Sequence, residues 1–403
     1  MTNSSVDIWQ VFNYPLKVLA IAGCSMPSKA KDSATLVRQQ RLYKIYQLFV
    51  CMLHSLSCAR CFTFIASPPS DSDSSTSFFV QLYLILFYSS LVYASESIVC
   101  RFYLQDVMDS LQKYQNEFGF CISLANVKRN VEMAVVYGNV TVFLSSLFLN
   151  GAALFWLSHQ KEFYCYPLQY QGDIQSTVWG LFVNFTCFFI CIPVSGFFIL
   201  YSSLVELVIA EFGGVSQDMS RLLSAHDQDE VFDTEFPKCR SRHLYLCQLV
   251  CKISKQLRLH FLFSTLSGLV LIFFVIYSLA SGQMSGVQVV VESSYVIWQT
   301  LVFVWTSIRW GALPSAASSI SRNIGAIAWS SQSKLRLQKI QLMIVQLTNE
   351  KIGIDIFGLI TIDTSLLLMI LGTVVTYGVV VVQFQLDKES SGQISENNTD
   401  VIR

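Results

Sequence analysis

The sequence predicts an all-α membrane protein of seven transmembrane helices, with the N-terminus in the cytoplasm and the C-terminus extracellular. Three observations carry this. Apolar residues make up 53% of the chain and charged residues only 13%, against about 25% charged in an ordinary soluble domain. Seven mostly apolar segments, roughly 42–66, 76–99, 131–157, 178–209, 256–280, 288–310 and 359–385, each reach the length of about 20 residues that a bilayer crossing needs. Lysine and arginine then alternate in phase along the segments between them.

That alternation sets the orientation. One set of segments carries twenty basic residues: Lys17, Lys29, Lys31, Arg38 and Arg41; Arg101, Lys113, Lys128 and Arg129; Arg221, Lys238, Arg240, Arg242, Lys252 and Lys255; Arg322, Lys334, Arg336, Lys339 and Lys351. The other set carries three, Lys161, Lys388 and Arg403. Basic loops stay in the cytoplasm, so the N-terminus is expected inside and the C-terminus outside. A formal net charge of zero hides this segregation and gives no reason to expect nucleic-acid binding.

Along the chain, residues 1–41 form a cytoplasmic arm with no short apolar core of a signal peptide, so the first span serves as the insertion signal. Residues 42–310 form a six-helix bundle. Its fourth span is too long for one perpendicular crossing and is expected to tilt or project, with a kink at Pro193-Val194-Ser195-Gly196. The outer connections 67–77 and 281–287 read as turns. Inner connections are long. From Pro237 onward, Leu246, Leu249, Val250, Ile253 and Leu257 recur at helical spacing between Lys252, Lys255 and Arg258, predicting a cytoplasmic helical extension over about 210–258 that runs into the fifth span. Within 311–358, residues 333–348 repeat the pattern, with Leu337, Ile340, Ile344 and Leu347 on one stripe and Lys334, Arg336 and Lys339 off it. Such helices either pack together as an anchor or lie on the inner leaflet. The last span is 359–385, followed by an extracellular tail, 386–403.

Cysteine and histidine argue against catalysis and metal binding. Cys58 with Cys61, Cys187 with Cys191 and Cys247 with Cys251 sit at helical spacing, where paired cysteines act as small buried hydrophobes. Only Cys165 lies in an outer loop, so no disulfide framework is expected there. The five histidines show no metal-ligand spacing, and no Gly-x-Ser-x-Gly nucleophile motif occurs. An enzyme is not expected, and no cofactor.

The last span closes with Thr376-Tyr377-Gly378-Val379-Val380-Val381-Val382-Gln383-Phe384. At about 100° per residue, Thr376, Val380, Gln383 and Asp387 share one helix face. Polar groups this near the end of a span need water or a partner. One account is a single helix whose Gln383 reaches the interface; another is a pore lining.

The motif resembles the signature of insect gustatory receptors, Thr-Tyr, five hydrophobics, then Gln-Phe, and its spacing matches in full. Ile356-Phe357-Gly358-Leu359-Ile360-Thr361-Ile362-Asp363 resembles the family's approach to its last helix, and seven spans with an inside N-terminus fit almost the whole chain. The resemblance implies a ligand-gated, nonselective cation channel of the plasma membrane of chemosensory neurons. It also implies a homotetramer, or a heterotetramer with related receptors. Each subunit gives its last helix to a central pore, and cytoplasmic helices form an anchor. It implies that Gln383 and Phe384 form the gate; the helix face then gives rings of Thr376, Val380 and Asp387 along the pore. The implied partners are a small-molecule tastant, permeating cations and the lipid bilayer. Family members that sense many sugars carry Glu directly after Thr-Tyr, where this chain has Gly378.

With this topology the outer halves of the spans hold Tyr83 and Tyr88, Asn150 and Trp156, Trp179 and Asn184, Tyr277, and Glu292, Tyr295, Trp298 and Gln299. Glu292, Tyr295 and Gln299 share a helical face, so they can converge on a polar ligand between flat tryptophan walls. Tryptophan and tyrosine also serve as interfacial anchors. Glu206 is expected at an inner end or a subunit contact and Arg309 as an interfacial anchor. The ligand is either a sugar or a bitter plant compound. An odorant-type subunit requiring a coreceptor is the alternative; a transporter is disfavoured because no internal repeat is visible.

Overall fold

The computed structural model describes residues 7–21, scattered helical positions between 42 and 62, and residues 101–140, 173–224, 229–281, 286–325, 334–349 and 352–400, single positions within these excepted. The second predicted span, 76–99, and the third beyond residue 140 lie outside the described residues.

The N-terminal arm forms two short helices, α1 (Ile8–Val11) and α2 (Asn13–Ile21). Asp7 caps the first, its carboxylate accepting the Trp9 N–H at 3.4 Å. Ile8, Val11, Phe12, Leu16 and Leu19 are buried, against α3 (Arg101–Glu117) and α5 (Asp173–Ser224). In α3, Val107, Leu111 and Tyr114 recur at helical spacing and are buried. The helix stops at Gly119, whose φ of 69° is left-handed; its N–H reaches back to the Gln115 carbonyl at 3.1 Å. Helix α4 covers 124–138 and buries Val131 and Val135.

Two long helices organise the rest. α5 has 52 residues, and α6 (Asp229–Ser281) has 53. Then follow α7 (Gly286–Ala317), α8 (Ser319–Gly325), α9 (Lys334–Asn349), an antiparallel hairpin of β1 (Asp355–Ile356) and β2 (Ile360–Thr361), and α10 (Thr364–Asp400). α6 is the hub: α3, α5, α7, β1 and α10 all pack against it. One apolar core joins the N-terminal arm, α3, the later part of α5, the first half of α6, the end of α7, α8, α9 and the hairpin. These are the elements that carry the described basic connections. At the level of Phe261, an aromatic cluster forms with Phe303 at 5.9 Å and the buried Trp310 at 5.7 Å.

Among the described residues, Ile199–Ser224 is long and apolar enough to cross a membrane by length and composition. The two parts of α6, Glu230–Leu259 and Phe261–Tyr277, pass together across a 42° bend, and Ser365–Val381 is a shorter apolar helix.

The structure departs from the sequence expectations at several places. The last helix begins at Thr364 rather than 359, because 355–361 form the hairpin, whose turn uses Gly358 at φ 71°, and Asp363 caps α10 by accepting the Leu366 N–H at 2.9 Å. The helix expected as a cytoplasmic extension begins at Asp229 and carries Pro237 inside it, at an exposed position where the proline removes one backbone bond. α10 runs on to Asp400, past the expected end of the last span at 385, and Pro193–Gly196, where a kink is expected, lies within the helical stretch of α5. Arg336, placed off the apolar stripe by its charge, is buried, with its guanidinium 4.8 Å from the centre of the Phe232 ring.

Candidate functional site

α10 has two unlike sides. One docks on α6: the Tyr377 ring lies 4.3 Å from that of Phe273, Val381 is buried, and a Cβ on Gly378 would sit 3.8 Å from Ile276 Cδ1, within ordinary contact. Gly378 thus faces α6 with room for a methyl group. The other side is open. Thr376, Val380, Gln383 and Phe384 are exposed, Phe384 by 72%, together with Leu368, Met369, Leu371, Val375 and Val379. The Thr376 hydroxyl donates to the Gly372 carbonyl at 2.8 Å, and Thr373 to Met369 at 2.9 Å, so this side lines its apolar surface with hydroxyls already satisfied by the helix. Asp387 lies on α10, but its side chain lies outside the described residues. An apolar face of this extent requires lipid or another chain.

Glu292, Tyr295, Trp298 and Gln299 fall on α7, and Trp179 and Asn184 on α5, while their side chains lie outside the described residues. Tyr83, Tyr88, Asn150 and Trp156 lie outside them altogether. Of the interfacial residues, Arg309 pairs with Glu206 at 3.2 Å, joining α7 to α5, and its guanidinium lies 6.0 Å from the Trp305 ring centre.

The densest polar cluster sits in the inner core, between α3, α5 and α6. Glu211 is fully buried. Its carboxylate accepts from the Arg242 guanidinium at 2.7 Å, the Tyr114 hydroxyl at 2.9 Å and the backbone N–H groups of Cys121 and Ile122 at 2.8 and 3.3 Å. Arg242 also donates to the Tyr114 oxygen at 2.7 Å and to Cys121 Sγ at 2.7 Å, and lies 3.4 Å from Asp218. Burial, with Glu211 next, pushes the Tyr114 hydroxyl far above its ordinary range, so it stays a neutral donor. Burial works against the charge on Arg242, but Tyr114 and Glu211 outweigh it and hold the guanidinium protonated. The cluster thus pins the turn 119–122 onto α5 and α6. Close by, His243 bonds the Ala317 carbonyl at the end of α7 at 3.2 Å and lies against Phe212.

Sequence reasoning missed this cluster. The signal was present: Glu211 follows Leu204, Val205, Leu207 and Val208 and precedes Phe212 and Val215, and a carboxylate in such a run needs a partner.

A family model of the 7tm chemosensory receptors matches residues 16–388. The chain belongs to that family. It is a membrane receptor of the insect gustatory and odorant type. No curated protein matches its sequence. Among solved structures, it is similar to the insect olfactory receptor OR5 from Machilis hrabei, with a TM-score of 0.70 and 13% identity over 92% of this chain and 97% of that one. The same receptor in complex with eugenol gives a TM-score of 0.67 and 13% identity, over 93% and 97%.

The likeness at 13% identity is one of fold, and this receptor family and fold are not those of enzymes. Among the described residues, no three His, Cys, Asp or Glu side chains gather as a metal site would require.

Proposed function

We propose that this chemosensory receptor is a gustatory-type subunit that forms a ligand-gated, nonselective cation channel, opened by a small-molecule tastant such as a sugar or a bitter plant compound. The observation that carries it is the division of α10. The helix is held to α6 through Tyr377, Gly378 and Val381, while the face bearing Thr376, Val380, Gln383 and Phe384 is left free. Four copies around an axis would turn part of that face inward, giving rings of Thr376, Val380, Gln383 and Asp387. Phe384 closes the pore by excluding water, and Gln383 lines it when open. The Asp387 ring concentrates cations at the outer mouth, an effect that fades with salt. In this assignment the cytoplasm holds the N-terminus and the inner core, and the extracellular side holds the C-terminus.

Glu292, Tyr295, Trp298 and Gln299 on α7, with Trp156, Asn150, Trp179, Asn184, Tyr83 and Tyr88, are the residues we assign to the ligand pocket, where a carboxylate and amides meet aromatic walls. The neighbouring receptor's complex with eugenol supports a small ligand of aromatic character. That same fold likeness favours a second reading, an odorant-type subunit requiring a coreceptor.

The deciding experiment expresses the full chain alone in oocytes, as wild type and as Phe384→Ala. A constitutive cation current from Phe384→Ala, absent from wild type, is the expected result. A surface-expressed Phe384→Ala subunit that stays as closed as wild type refutes the gate; current only with a second subunit favours the odorant-type reading.

A further inference from the structure

The hairpin ahead of α10 touches more than its small size suggests. Ser254 of α6, only 3% exposed, donates its hydroxyl proton to Asp355 Oδ1 at 3.0 Å and accepts the Asp355 N–H at 3.0 Å. The other Asp355 oxygen accepts the Gly358 N–H at 2.7 Å, closing the turn. On the side facing α7, a Cβ placed on Gly353, two residues ahead of β1, would lie 3.2 Å from Pro314 Cγ and 3.0 Å from Thr361 Cγ2, so the backbone leading into the hairpin abuts the proline of α7. Ile354 and Ile362 are fully buried, and the Ile362 N–H bonds the Ile354 carbonyl at 2.8 Å. The next residue is Asp363, the cap of α10.

From Ser254 to the first turn of α10 there is therefore an unbroken path: Asp355, the paired strands, Ile362, Asp363, then Leu366. The 42° bend of α6 falls between Leu259 and Phe261, little more than a turn beyond Ser254. A change in that bend, or a shift of α7 at Pro314, reaches α10 through contacts too tight to absorb it, since packed elements shift between discrete arrangements. A hairpin that merely separates α9 from α10 has no need of the reciprocal Ser254–Asp355 bonds.

We propose that this hairpin is the joint through which the helix bundle drives the pore helix, with Ser254 and Asp355 as positioning residues for gating; the proposal rests on the channel reading above. It is tested by ligand-free conductance in a Phe384→Leu background, which thins the apolar gate without removing it, per surface-expressed chain, combined with amide exchange on the purified full-length receptor. Ser254→Ala and Asp355→Ala each change the conductance about fivefold in the same direction, since either one removes the side-chain bond that ties α6 to the hairpin in one of two states. The double variant does no more than either single one, and Ser254→Thr, which keeps the hydroxyl, restores the background value. Both single variants within about twofold of the background, or a double variant equal to the product of the two, overturns the proposal. Exchange reads the same joint without current. The expected result is faster exchange in the latch variants at 354–362 and also at 365–368 in the first turn of α10; acceleration confined to 354–362 overturns it. If Phe384→Ala carries no current, the channel reading falls and the joint is judged on exchange alone.

Discussion

Replacing Arg242 with alanine removes the cation from a carboxylate that has nowhere to go. Glu211 is fully buried, and among the described residues its ionic partner is Arg242, at 2.7 Å. Breaking a buried pair from one side costs about 3–5 kcal/mol. Three donors survive the change, the Tyr114 hydroxyl and the N–H groups of Cys121 and Ile122. They continue to serve the anion, so the loss belongs at the lower end, about 3 kcal/mol. Combining Arg242→Ala with Glu211→Gln removes the stranded charge, and the double variant is therefore more stable than Arg242→Ala alone. The assay is SDS titration of the purified receptor in mixed micelles, followed by tryptophan fluorescence, with cell-surface expression as a second measure. A loss below about 1 kcal/mol, the value of an exposed pair, refutes the burial of this cluster. So does a double variant less stable than the single.

Gly214→Ala drives a Cβ into Cys121 Sγ and to 2.7 Å from its Cβ, an overpacking that lowers stability by about 1–3 kcal/mol in the same titration; adding Cys121→Gly recovers most of it, and a neutral Gly214→Ala refutes the contact. Burial, with Asp218 next, pushes the Cys239 thiol up to about 11, so at pH 8 its thiolate is about a hundredfold scarcer than that of an ordinary thiol. Mass spectrometry of iodoacetamide-treated receptor then finds Cys239 labelling slowly, and faster as pH rises toward 11; labelling at the rate of a free thiol at pH 8 counts against it. An epitope tag at the C-terminus stains on intact cells and one at the N-terminus only after permeabilisation; the reverse pattern overturns both the topology and the channel.

Periodicity made much of α6 legible in advance. Leu246, Leu249, Val250, Ile253 and Leu257 were placed on one stripe, and all five are buried, because a helix must repeat its core-facing residues every three or four positions. The face of α10 bearing Thr376, Val380 and Gln383 was legible for the same reason, and it is exposed. The features that escaped have no period. Glu211, Arg242 and Tyr114 come from three helices, and only the tertiary fold makes them neighbours. Strands of two residues are too short for any alternation, so the hairpin fell unseen across the boundary between the predicted anchor segment, 311–358, and the last span, 359–385. Arg336 was misplaced because a guanidinium can be buried when it lies on an aromatic face, which charge alone does not reveal.

The continuity of α5 has a geometric consequence. At about 1.5 Å per residue, a helix of 52 residues is about 78 Å long, more than twice the roughly 30 Å hydrocarbon thickness of a bilayer. Where a helix of that length moves as one body it is a lever: tilting it by only about 3° about one end carries the other end about 4 Å. By the same geometry, one residue inserted into α5 rotates everything beyond it by about 100°, turning Glu211 away from Arg242. The receptor is sensitive to helix length in a way that its loops are not.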